Sequence, residues 1–167
     1  MSNKFDIELV GKIGSMALIN DKYKDMDYNI IARLSRELRP GYIWVTSGAA
    51  EIGRLDYMKR NNGRELDEED ENSKVDYSAQ GQAILMSNYR QFTDSRYSLR
   101  QILVEHTHFN DGMKREHLKE LLLRCPRQNA IPIINYNDPV SYDEIVKFEI
   151  QQYSKMGVKA VQCVDND

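Results

Sequence analysis

The feature that most constrains this chain is a recurring pair. A short apolar run stops on small or polar residues, and a stretch of helical periodicity follows it. Phe5 to Ile13 alternates, then turns apolar, and ends at Gly14-Ser15. Tyr42-Ile43-Trp44-Val45 runs into Thr46-Ser47-Gly48, and Ala130 to Ile134 lands on Asn135-Tyr136-Asn137-Asp138. Gln101 to Val104 reads as a further strand, and Lys159 to Val164 reads as a last one, ending on Asp165-Asn166-Asp167. Between the strands, Ile30, Ile31, Leu34 and Leu38 recur at helical spacing from Asp27, a candidate N-cap, to Pro40-Gly41. Helices are also predicted from Ala49 to about Lys59, over Val75 to Tyr97, over Met113 to Arg124, and from Asp143 to Met156. Strands separated by helices of roughly ten or more residues pair in parallel, which makes residues 1–167 one doubly wound α/β domain. Its expected form is a three-layer α/β/α sandwich on a mainly parallel sheet, with ligands beyond the carboxyl ends of the strands. Four strand ends carry the small or polar clusters, so chemistry is expected there. Only residues 61–72 interrupt the rhythm. Six of the seven positions from Glu65 to Glu71 are acidic, and such a self-repelling block reads as an exposed, mobile loop.

Composition narrows the function classes. A net charge of -3 over 167 residues supplies no basic field for nucleic acid or anionic lipid. No apolar run approaches the roughly 20 residues of a membrane span, and the start, Met1 to Asp6, lacks the apolar core of a secretory signal. Cys125 and Cys163 form no CxxC or Cys/His pair and read as reduced thiols, which favours a cytoplasmic protein.

Each of these four strand ends has a chemical reading and a plainer one. In Gly11-Lys12-Ile13-Gly14-Ser15, a lysine before a small-residue turn can set its ammonium beside phosphate oxygens that the turn's amides also reach. An edge lysine reaching into solvent explains the same residues, and no Walker A sequence occurs. In Val45-Thr46-Ser47-Gly48-Ala49, glycine admits a ligand close to the backbone, and amides at a helix start favour an anion. An ordinary strand-to-helix turn with Ser47 as N-cap fits equally. Asn135 to Asp138 offers amide donors for a carboxylate and a carboxylate for an ammonium, the two needs of an amino acid, and also reads as a plain Asn/Asp turn before Pro139. Asp165-Asn166-Asp167 is either a helix-capping cluster or a frayed tail. His106 and His108 flank Thr107 without a further Cys or His, so no metal ligands are assigned.

Taken in order, these segments resemble the amino acid kinase family, and within it the members that phosphorylate glutamate. Gly11 to Met16 is similar to the family's V-K-[IL]-G-[ST]-S, and Val45 to Ala49, continuing to Gly53-Arg54, to its [VI]-[ST]-S-G-A. Ala79-Gln80-Gly81-Gln82 resembles its A-x-G-Q, Pro132 to Asp138 its P-[IV]-I-N-E-N-D, and Val164 to Asp167 its G-D-N-D. The sequence departs from that pattern at Tyr136, where the family has glutamate, and at Val164, where it has glycine. The resemblance implies a carbamate-kinase-like fold, here its N-terminal lobe, and phosphoryl transfer from ATP, with Mg²⁺, to an amino-acid carboxylate, as in proline biosynthesis. It implies that Lys12, with Gly14 and Ser15, meets the transferring phosphate. Ser47 and Gly48 would lie beside the acceptor carboxylate, Asn135, Asp138 and Asn166 would hold the amino-acid head group, and Asp167 would orient phosphate-binding lysines. It further implies a truncated form without the nucleotide-binding half, inactive alone, and either homo-oligomeric or paired with a C-terminal half. A family member acting on another small acceptor, such as phosphate or a phosphonate, and a non-catalytic amino-acid-binding or assembly module remain the alternatives.

Overall fold

The computed structural model describes residues 7–66 and 71–140. The predicted helix from Asp143, the final strand from Lys159 and the Asp165 to Asp167 cluster lie outside the described residues. In chain order, β1 (Leu9–Lys12) leads through a 3₁₀ turn (Ser15–Leu18) to a small antiparallel hairpin, β2 (Ile19–Asn20) and β3 (Asp25–Met26). Then follow α1 (Tyr28–Glu37), β4 (Tyr42–Val45), α2 (Ala49–Arg60) and α3 (Glu71–Phe92). The chain continues with β5 (Ser98–Val104), α4 (His106–Asn110), α5 (Gly112–Arg124), a 3₁₀ turn (Pro126–Gln128) and β6 (Ala130–Tyr136).

The main sheet has four strands in the order β1-β4-β6-β5, every pairing parallel. β6 is central, and its first four residues are buried on both faces, as the apolar run Ala130-Ile131-Pro132-Ile133 requires. Ile131 and Ile133 join Trp44, Ile31, Ile52, Leu85 and Tyr89 in the larger core, under α1 and α3. Ile102, Val104 and Ile134 turn to the other face and pack on Leu118, Leu121 and Leu122 of α5. Helices therefore cover both faces of a parallel sheet, and the three-layer α/β/α sandwich expected from the sequence is the fold.

Local chemistry explains the element ends. Asp27 caps α1, its carboxylate accepting from the amides of Asn29 (3.0 Å) and Ile30 (3.1 Å). β4 begins and ends where its apolar run does. The long helix differs from expectation at both ends. It begins at Glu71, inside the acidic block, and stops at Phe92 rather than Tyr97. There the Thr93 hydroxyl bonds back to the Tyr89 carbonyl (2.7 Å), and the Arg90 guanidinium takes the carbonyls of Thr93, Asp94 and Tyr97. The loop before it is tied down where it is described: Glu65 pairs with Arg54 (2.7 Å), and the Leu66 amide donates to the Tyr77 hydroxyl (2.6 Å). The hairpin and α4 have no counterpart in the sequence reading.

Two glycines set the helix packing. A Cβ on Gly53 would run into the Tyr77 carbonyl, and one on Gly81 into the Ala49 carbonyl, both far inside van der Waals contact. The α2 and α3 backbones thus cross in direct contact. That contact offsets the cost of about 1 kcal/mol that a mid-helix glycine carries relative to alanine.

Candidate active site

The register brings the sequence-predicted turns to one end of the sheet. Lys12 pairs with Val45, Val45 with Ile134, and Val104 with Tyr136. The strands leave the sheet in step, since the Ile13 amide donates to the Val45 carbonyl (3.0 Å) and the Thr46 amide to the Ile134 carbonyl (2.8 Å). The first two turns then touch. Gly48 has φ +92°, and a Cβ there would sit 3.3 Å from the Cα of Ser15, so this position requires glycine for both its conformation and its neighbour. Gly48, not Ser47, is the N-cap of α2, and no side chain caps that helix start. The alternative reading of Ser47 as an N-cap is therefore corrected. The Ser47 hydroxyl oxygen is buried and has no hydrogen-bond partner among the described residues.

The β6 turn is held by α3. Ser78 and Gln82, one helical turn apart, face the sheet on the same stripe as Leu85 and Tyr89. The Ser78 hydroxyl donates to Asp138 Oδ2 (3.2 Å), and Asn135 Nδ2 donates to Gln82 Oε1 (2.7 Å). Asn135 Oδ1 accepts from the Tyr136 amide (2.9 Å), and Asn135 itself is 4% exposed. Asn137 faces the opposite edge: its amide donates to the Val104 carbonyl (2.9 Å) and its Nδ2 to Glu105 Oε1 (2.7 Å). It ties the end of β6 to the end of β5. The structure thus brings Gly14, Ser15, Ser47, Gly48, Asn135 and Asp138 to adjoining strand ends. Lys12 is exposed at the edge strand and has no ion pair among the described residues. Asn166 and Asp167 lie outside the described residues.

A buried polar chain underlies the site. Trp44 Nε1 donates to the Tyr89 hydroxyl (3.0 Å), which donates to the Thr46 hydroxyl (2.9 Å), the residue before Ser47. Burial pushes the Tyr89 phenol upward from its ordinary range, so it stays a neutral donor. The large indole fits because Gly11, its register partner on β1, has no side chain; a Cβ there would overlap the ring. On the far side of α2, Arg54 makes a two-pronged ion pair with Glu51 (2.6 and 2.8 Å) and also meets Glu65. These carboxylates hold the guanidinium charged, with the Glu51 hydrogen bond the largest cause. Arg54 therefore anchors the segment after α2, which gives the Gly53-Arg54 pair a packing role.

Among the described residues no three His, Cys, Asp or Glu side chains gather as a metal cage. His108 is occupied locally, its Nδ1 accepting from the Glu105 amide (3.1 Å), while His106 packs edge-on against Tyr136 (5.8 Å between ring centres). No helix among the described residues is long and apolar enough to cross a membrane.

Sequence reasoning did not assign Ser78 or Glu105 to the site, and quoted Gln82 only within a motif. The available signal was polar residues at positions 78 and 82 of a stripe that is otherwise buried and apolar. Their partners lie 60 and 53 residues away, beyond the reach of local pattern.

No family model matches the chain. Comparison with curated proteins nevertheless shows a relationship to the amino acid kinase family, in agreement with the motif order. The relatives are proteins named glutamate 5-kinase. The one from Alkaliphilus metalliredigens is 32% identical over 145 residues, covering 83% of this chain and 53% of its own length. Those from Burkholderia vietnamiensis and Burkholderia cenocepacia are each 34% identical over 146 residues, covering 82% of this chain and 37% of theirs. The chain thus spans about half or less of the length of the relatives it matches.

Proposed function

We propose that this chain is the acceptor-binding part of an ATP-dependent kinase that phosphorylates the side-chain carboxylate of a glutamate-like amino acid. A carboxylate oxygen would attack the γ-phosphorus, the bond to the β-phosphate oxygen would break, and an acyl phosphate and ADP would result. The nucleophile is already ionised near pH 7, so no general base is needed. Positioning and charge neutralisation must supply the rate.

The observation that carries this reading is the convergence at one end of the sheet. A carboxylate (Asp138) and a primary amide (Asn135) are held side by side on one stripe of α3, next to the Ser47-Gly48 turn. Asp138 suits an ammonium, while Asn135 and Ser47 suit a carboxylate. The touching turns at Ser15 and Gly48 suit phosphate oxygens, with Lys12 beside them as the neutralising cation. By resemblance, Asn166 would join the head-group site and Asp167 would orient phosphate-binding lysines. Mg²⁺, when bound with the nucleotide, would neutralise phosphate charge, and such ions are commonly held by phosphate oxygens and only one or two carboxylates. The relatives' name, glutamate 5-kinase, supports glutamate as the acceptor and ATP-dependent phosphoryl transfer as the reaction, and the motif resemblance adds proline biosynthesis as the setting.

Because the matches cover only 37–53% of the relatives, acceptor binding is the property to test in this chain. Titration calorimetry with glutamate, glutamine and a simple amine should show saturable binding of glutamate and much weaker binding of the other two. A chain that binds none of them, or that binds all three alike, would remove the acceptor assignment. Trapping of ATP-dependent product as a hydroxamate reports the transfer step separately.

A further inference from the structure

We infer that Gln82, on α3, is a second carboxylate-binding residue of the acceptor site, donating from its Nε2 to the bound amino acid beside Ser47. The inference rests on the acceptor reading just given. It begins from a backbone donor whose direction is unambiguous. The Tyr136 amide donates to one side-chain atom of Asn135, so that atom is the oxygen, Oδ1. Asn135 must therefore point its Nδ2 at Gln82, and the Gln82 atom that receives it, at 2.7 Å, must be Oε1. This leaves Nε2 as the outward half of the Gln82 amide. It is buried, in a side chain whose residue is 8% exposed, and it has no partner among the described residues. The fixed chain of amides prevents a flip that would exchange donor for acceptor.

A second unpartnered buried group, the Ser47 hydroxyl, belongs to the neighbouring turn. The direct backbone contact of Gly81 with Ala49 brings the residue after Gly81 beside the turn that carries Ser47. Two polar groups that can donate, both buried and neither with a partner among the described residues, thus lie on neighbouring elements, and Asp138 is held by Ser78 of the same helix stripe as Gln82. An anionic carboxylate satisfies both donors at once, whereas an ammonium would leave them facing a like dipole. The ligand class is an amino acid carrying a carboxylate, the ammonium taking Asp138.

The deciding variant is Gln82→Glu. It keeps an oxygen to accept from Asn135 and replaces the donor by an anionic oxygen, which repels a carboxylate bound against it and leaves a carboxylate bound elsewhere far less affected. Calorimetry at about pH 8 should show glutamate affinity reduced at least about tenfold. The deficit should narrow toward about pH 5.5 as the introduced carboxyl, its pKa raised by burial, protonates and donates again. Gln82→Met should bind poorly at both pH values. Affinity of Gln82→Glu within about twofold of the parent at pH 8, or a deficit that does not change with pH, overturns the inference. Should the variants not fold, the parent answers alone: the Gln82 side-chain amide proton resonances shift on saturation with glutamate, and their standing still overturns the inference. Failure of the parent to bind glutamate removes the acceptor reading itself. Parent binding with unaffected Gln82→Glu removes only Gln82 and leaves its donor to structural water.

Discussion

The wall formed by α2, α3 and β6 and the edge formed by β1 belong to the same sheet but are built on different principles. In the wall, helix backbones touch at Gly53 and Gly81, and nearly every site group is fixed by a named partner: Asn135 by Gln82 and Tyr136, Asp138 by Ser78, Thr46 by Tyr89. At the edge, Leu9, Val10 and Lys12 are exposed, Val10 at 65%, and the ties beyond the strand pairing include an ion pair, Glu8 to Arg39, open to solvent at both ends. The difference teaches how the proposed work is divided. An acceptor must be recognised by fixed donors and acceptors, which a rigid wall provides before the ligand arrives. A lysine that meets a mobile, highly charged phosphate can remain solvated until the nucleotide organises it.

The strongest way to break this comparison is to force the wall apart. Gly81→Ala places a methyl group into the Ala49 carbonyl, and backbone cannot yield there as a flexible side chain would. It should cost about 3 kcal/mol or more of unfolding free energy, despite the better helix propensity of alanine. Gly14→Ala is the matching change at the edge. Nothing lies within 4 Å of the added methyl and the backbone is extended at φ -80°, so stability should move by no more than about 0.5 kcal/mol. Urea unfolding of both proteins checks the pair. Equal losses would mean that the wall is no more rigid than the edge.

The next effect is on rate rather than stability. In a full-length version of the enzyme, Lys12→Met should lower ATP-dependent hydroxamate formation by about 10²-fold or more, while thermal midpoint and glutamate affinity stay near the parent values. The exposed position of Lys12 and its lack of an ion pair among the described residues are the reasons to expect an intact fold. Turnover within about twofold of the parent would take Lys12 out of the transfer step. Lost glutamate affinity would show that edge and wall are not separate in function.

The same division explains what the sequence made legible. Asp27 before the Ile30-Ile31-Leu34 stripe could be read as a cap because every group involved lies within a few residues. Tyr42 to Val45 and Ala130 to Ile134 could be read as buried strands because both faces of the sheet are covered, so their apolar runs are continuous. The two-residue strands of the hairpin are too short to show a period. The exchange of Ser47 for Gly48 as cap turns on one positive φ, which neighbouring sequence does not disclose. At the site, the turns were visible as small and polar clusters, but the residues that orient them were not. Ser78 and Gln82 acquire meaning only when α3 crosses α2 at the glycines and lays its stripe along β6.

The smallest expected effect sharpens the picture of the wall by separating charge from packing at its outer margin. Asp56 of α2 accepts from Arg60 Nε (2.8 Å) on its own helix and from Gln80 Nε2 (2.6 Å) on α3. The Arg60 hydrogen bond is the largest cause of a carboxyl held below its usual range, burial opposes it, and Gln80 adds to it. A carboxyl depressed in the folded state stabilises fully above its unfolded value, near pH 4, and loses that contribution as pH falls through the lowered folded value. Arg60 is 72% exposed, so solvent screens most of its share, and the whole contribution should stay below about 1 kcal/mol. Asp56→Ala, which removes the acceptor for both Arg60 and Gln80, should therefore leave stability at pH 7 slightly reduced and flatten the acid limb of the stability curve below about pH 4. Added salt should weaken the Arg60 share in the parent and leave the neutral Gln80 bond to α3 in place, so that part of the difference between parent and variant survives at high ionic strength. A difference that disappears entirely with salt would assign Asp56 to helix-surface charge alone. The α2–α3 contact would then rest on the glycine crossing without help from this polar tie.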